Sequence, residues 1–108
     1  MNRSKVLTYI GFAIKARKVR TGVNVAKTLK EKAPLMILCE TASENTVKEV
    51  VSIANKLNAK IIVTKGIKVE DIFYKQNCKL AVITDYQLAK AILSNTDEQF
   101  VLFGGNKI

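Results

Sequence analysis

The chain has no histidine and no tryptophan, one proline and two cysteines. Without histidine there is no imidazole to act as acid, base or metal ligand, and without a CxxC pair the usual zinc sets are excluded as well. Cys39 and Cys78 each sit in or beside an apolar run, the placement of buried thiols in a reducing compartment; a disulfide would require those two run ends to be neighbours. No apolar run reaches the length of a membrane span, and the N-terminus shows no uninterrupted apolar stretch with a small-residue cleavage site. The reading is therefore a cytoplasmic chain without a membrane segment. The seven aromatic residues fall mostly at positions that read as helix core, and none forms an aromatic RNA-stacking strand.

Acidic residues are scarce in one place. The first 32 residues hold nine Lys or Arg against the single acid Glu31, a net +8, whereas the rest holds nine Lys against eight acids. A cationic field this localised points to a polyanion, nucleic acid first, ahead of a merely solvated basic face. Its densest part is Arg17, Lys18 and Arg20, with Lys27 and Lys30 following.

The length, 108 residues, suits one domain spanning 1–108 with a core of its own. Apolar spacing predicts a helix over 4–16 capped by Ser4, and the basic stretch follows, with Val19 entering a short edge strand. Gly22-Val23-Asn24 opens a second helix, with Lys27, Lys30 and Lys32 outward, that Pro34 stops. The unalternated apolar run Leu35–Cys39 and the run Leu80–Ile83 read as buried strands, and Lys60–Thr64 reads as the strand between them. Helices are predicted over 44–58, 67–75 and 86–95, with Ser43 or Asn45 opening the first and Asn58 ending it. The tail, about 96–108, carries Phe100–Phe103 and then Gly104-Gly105-Asn106, an added strand or a docked segment. Alternation of this kind predicts an α/β fold with a small, mostly parallel central sheet covered by helices on both faces.

Gly22-Val23-Asn24 is the most specific local feature. Glycine permits close backbone approach, the first helical turn presents free N–H groups, and Asn24 offers a donor and an acceptor to a base edge. No glycine-rich phosphate fingerprint is present, so no cofactor is expected. Glu40 and Asp85 follow strands but have no catalytic partner in view, and the chain reads as a binder and not an enzyme.

Gly11-Phe12-Ala13-Ile14-Lys15-Ala16-Arg17-Lys18-Val19-Arg20-Thr21-Gly22 resembles the GLAxRARKVxSG opening of the bacterial YlxQ-type ribosomal-protein-like family. Glu40-Thr41-Ala42-Ser43-Glu44-Asn45-Thr46 resembles that family's EDASxNT segment, and the likeness extends roughly over residues 4–95. The family is a branch of the kink-turn RNA-binding superfamily that includes large-subunit ribosomal proteins. The resemblance implies a three-layer α-β-α sandwich and a structured RNA partner, ribosomal RNA or another kink-turn RNA, with the ribosome itself as a further candidate; the chain is expected to act as a monomer. The superfamily pattern Gly-x-Asn-Glu-x-Thr-Lys reads here Gly22-Val23-Asn24-Val25-Ala26-Lys27-Thr28, so Val25 replaces the usual Glu and Thr28 the usual Lys. It further implies contacts from Ala42 and Ser43, from Asn77 and Cys78, and from Lys68. The alternative is a protein–protein interaction module on ribosome-associated factors, without kink-turn specificity.

Overall fold

The computed structural model describes residues 4–103, so Arg3 and Gly104-Gly105-Asn106 lie outside the described residues. Helix α1 (Lys5–Lys15) is capped by Ser4, whose hydroxyl accepts the Leu7 N–H. Strand β1 (Val19–Thr21) leads through Gly22 into α2 (Val23–Thr28). Strand β2 (Leu35–Leu38) precedes α3 (Glu44–Leu57), which Ser43 caps through the Thr46 N–H and Asn58 ends in the left-handed region at φ 60°. Then come β3 (Lys60–Thr64), α4 (Val69–Phe73), β4 (Leu80–Ile83), α5 (Tyr86–Leu93) and β5 (Phe100–Leu102).

The strands are ordered β1-β4-β2-β3-β5. Only β2 and β3 pair in parallel; β1 with β4, β2 with β4 and β3 with β5 are antiparallel. The expected mostly parallel sheet is thus corrected to a mostly antiparallel one. The difference arises in the connection 65–79, whose helix α4 extends only about 7.5 Å and does not return the chain to the start of the sheet. The chain instead crosses over the end of β2 and re-enters as β4 in the opposite direction.

Burial on both faces survives that change. Leu35, Ile37, Cys39, Ala81 and Ile83 point to a layer made by α1, α4 and α5. Met36, Leu38, Leu80 and Val82 point to the opposite layer, where α2 and α3 supply Ala26, Val50, Ala54 and Leu57. The tail adds strand β5, anchored by Phe100, which is fully buried. Burying one such ring stabilises by roughly 1.5–3 kcal/mol, which offsets part of the cost of ordering a three-residue edge strand.

Helix α2 is shorter than its sequence suggests. It stops at Thr28 because Leu29 is extended, at φ −68° and ψ 132°, so Lys30 and Lys32 belong to the loop that follows. The aromatic residues also depart from expectation. Phe12, Tyr74 and Tyr86 are exposed rather than core.

Candidate nucleic-acid interface

The strand registers bring the sequence-predicted segments to one end of the sheet. Thr21 faces Ala81, Leu38 faces both Leu80 and Val63, and Thr64 faces Phe100. The segments just beyond these residues share that end: Gly22 and the start of α2, the loop 39–43, the turn 65–68, and the loop 74–79.

Gly22 has φ 98° and ψ 144°, a conformation that glycine alone adopts freely, and its N–H donates to the Leu80 carbonyl at 2.8 Å. This bond fixes the start of α2 against β4. An open cavity of about 410 Å³ lies there, lined by Gly22, Val23, Asn24, Val25 and Lys27 from α2 and its start. Asn77, Cys78 and Lys79 complete one wall, and Thr46 and Glu49 of α3 the other. Asn77 holds a left-handed turn at φ 63°. Lys79 donates to the Thr41 hydroxyl at 2.8 Å and so ties the loop 74–79 to the loop 39–43.

The predicted residues therefore divide. Gly22, Val23, Asn24, Lys27 and Asn77 come together around one cavity. Cys78 lines it, but its thiol donates to the Leu80 carbonyl at 3.1 Å and the residue is buried, so its side chain serves the fold. Ser43 shares hydrogen bonds with Thr46, which lines the cavity, and Ala42 precedes it, half-buried against the α2–α3 layer. Lys68 caps α4 at the same sheet end but does not line the cavity. The Thr28 hydroxyl is turned to the Val25 carbonyl at 2.7 Å, at the far end of α2. Lys30 lies past that end, in the loop leading to β2. Sequence reasoning missed Lys79, Thr46 and Glu49. Thr46 closes the family-like segment 40–46, whereas no local signal marks Lys79 and Glu49, which meet the site only through the antiparallel β2–β4 register and the docking of α3 on α2.

The densest cations run along the free edge of the sheet. Lys18 pairs with Thr84 at one end of β1 and Gly22 with Leu80 at the other, a run of about 13 Å at strand spacing. Arg17 occupies the left-handed region at φ 59° and closes α1: its N–H donates to Ile14 O, and the Lys18 N–H donates to Ala13 O. The Arg20 guanidinium donates to the Val19 carbonyl at 3.0 Å, covering an acceptor on the open side of β1. Such a charge on an edge strand discourages pairing with another sheet. Arg17, Lys18 and Arg20 are all exposed.

The two carboxylates at strand ends are engaged in local structure. Glu40 accepts the Gly66 N–H at 2.7 Å, and Asp85 accepts the Leu88 N–H at 2.9 Å as the cap of α5. Beneath the same loops, burial pushes the Cys39 thiol up, but hydrogen bonds with Thr41, the Val69 backbone and the Thr64 hydroxyl outweigh it together and hold the thiol below its ordinary value. Among the described residues no group of three or more metal-binding side chains forms, and no helix is long and apolar enough to cross a membrane.

No protein-family model matches the chain, and no curated protein matches it. Among solved structures it is similar to a protein with unknown function from Bacillus halodurans C, with a TM-score of 0.69 at 18% identity over 85% of this chain and 96% of that chain. At that identity the likeness shows a shared fold alone.

Proposed function

We propose that the protein binds structured RNA, with a kink-turn or similarly bent helix seated on the Gly22–Asn24 end of the sheet. The observation that supports this reading most is convergence. Three segments far apart in the chain, 22–27, 46–49 and 77–79, border one open cavity beside a cation-lined strand edge. In this reading Arg17, Lys18 and Arg20 neutralise phosphates along β1, and Asn24 presents its amide to base edges in the bent groove. The resemblance to the YlxQ-type family supports the same assignment and favours ribosomal RNA as the partner in a cytoplasmic setting. Recognition would rest on shape and backbone with few base contacts, since Val25 supplies no acceptor for a guanine edge.

The test is a gel shift with a kink-turn RNA and a straight duplex of matched length across a salt series. Tighter binding of the kink-turn at every salt supports the proposal. Equal affinity for both removes the bend-specific part and leaves electrostatic RNA binding, and absence of binding to either at low salt removes the proposal.

A further inference from the structure

A second surface lies on the α1–α4 side of the molecule. A hollow of about 490 Å³ runs between the two helices, and a second of about 400 Å³ lies between β1 and the end of α4. Ile14 lines both, so they form one trough. Along α1 its floor is Leu7, Ile10, Gly11 and Ile14, the i, i+3, i+4, i+7 face of two helical turns.

Three features set this trough apart from ordinary surface. Large apolar side chains are exposed on it: Tyr74 at 85%, Val25 at 41% and Ile14 at 38%. Gly11 leaves a gap in the floor, with no atom within 4 Å of the place a Cβ would take. Glycine inside a helix destabilises it relative to alanine, and its use is to let another chain approach closely. The rim is cationic: Lys15 and Lys75, together with Arg17 and Arg20 where the trough adjoins the β1 edge, border it against the single acid Asp71.

We infer that this trough docks an acidic amphipathic helix of another protein. Bulky apolar side chains at i, i+3 or i+4 and i+7 would fill the two hollows, and carboxylates on their flanks would meet the cationic rim. Charge complementarity selects this occupant over a second copy, which would bring its own basic rim against this one. The walls also suit a peptide better than a nucleobase. Around β1 they are branched aliphatic side chains such as Ile14, Val19 and Val25, and the lining ring of Phe73 is buried; the exposed Tyr74 ring stands at the α4 end, so a run of bases finds no succession of faces to stack on.

The test uses the full chain as bait for a phage-displayed library of random peptides of roughly 16 residues, about 24 Å as helix. An enriched peptide is then measured by fluorescence anisotropy. The expected ligands are acidic and carry bulky apolar residues at helical spacing, and their affinity falls as salt rises. Gly11→Glu is built in open space on a helix, so its melting temperature should hold. It should weaken an enriched peptide by about tenfold or more through like charge and lost space, while leaving kink-turn RNA binding unchanged. Tyr74→Ala, at an exposed position, should weaken the peptide without unfolding the protein. The inference is overturned by a selection that enriches nothing, by ligands that are neutral or basic, by parental affinity in Gly11→Glu, by sedimentation showing the trough closed in a dimer, or by loss of RNA binding in Gly11→Glu, which would assign the trough to RNA.

Discussion

The ammonium of Lys27 lies 2.6 Å from the carboxylate of Glu49, and the pair joins α2 to α3 across the cavity at the sheet end. Both side chains are about half exposed, so the pair adds at most about 1 kcal/mol to stability. Its larger effect is on the site, because it neutralises a cation where a phosphate would sit. Glu49→Gln should therefore leave the melting temperature nearly unchanged and tighten binding to every RNA. The slope of log affinity against log salt should steepen by about one as Lys27 becomes available. A weaker complex in that variant would mean that Glu49 itself accepts a hydrogen bond from the RNA.

Arg17 predicts the opposite trade. Its left-handed backbone costs an L residue roughly 1–2 kcal/mol, part of which the greater unfolded-state freedom of glycine cancels. Arg17→Gly should raise stability by about 0.5–1 kcal/mol in chemical denaturation. It should also weaken kink-turn and straight RNA alike, with the salt slope falling by about one. Unchanged RNA affinity would place Arg17 outside the phosphate contacts.

Much of this architecture was legible residue by residue. Ser4, Ser43 and Asn58 mark helix ends by hydrogen-bonding chemistry that is local, and the apolar runs around Ile37, Ile62 and Val82 mark strands by composition. Strand direction was not legible, because four residues buried on both faces read the same in a parallel or an antiparallel ladder. It is set by where the connection 65–79 delivers the chain, which no residue pattern marks. The same holds at the candidate site. Gly22 and Asn24 are visible because they sit together in the chain, whereas Lys79 and Glu49 arrive only with the register of β4 and the packing of α3. The family resemblance implies a contact from Cys78, and the hydrogen bond that turns its thiol to Leu80 has no sequence signature.

Cys39 gives a prediction in pH. Its thiol is held below the ordinary value of 9.0 in the folded state: burial opposes this, and the hydrogen bonds with Thr41, the Val69 backbone and Thr64 prevail. A depressed folded value means that the thiolate contributes stability above the unfolded value, and that this contribution is lost as pH falls through the folded one. In a Cys78→Ser background, the ultraviolet thiolate band should reach half its amplitude below pH 9.0. The stability difference between the parent and Cys39→Val should grow with pH up to the ordinary thiol value and then level off. A difference that is flat with pH would show that folding leaves the thiol's ionisation unchanged, and one that shrinks as pH rises would show that burial prevails over the hydrogen bonds.

Gly22 and Asn24 separate fold from recognition within three residues. Nothing lies within 4 Å of a Cβ placed on Gly22, so Gly22→Ala meets no clash; its cost is the backbone alone, roughly 1–3 kcal/mol at φ 98°. If the start of α2 shifts to relieve that strain, the Gly22–Leu80 hydrogen bond weakens and the cavity wall moves with it. Gly22→Ala should thus lower the melting temperature and RNA affinity together. Asn24 is exposed on a helix, where alanine is the better former, so Asn24→Ala should fold at least as well as the parent. It should lose about 1–3 kcal/mol on the kink-turn RNA and much less on the straight duplex, as expected for a base-edge contact. Equal losses on the two RNAs would reduce Asn24 to a backbone contact, and no loss on either would move the RNA off this end of the sheet.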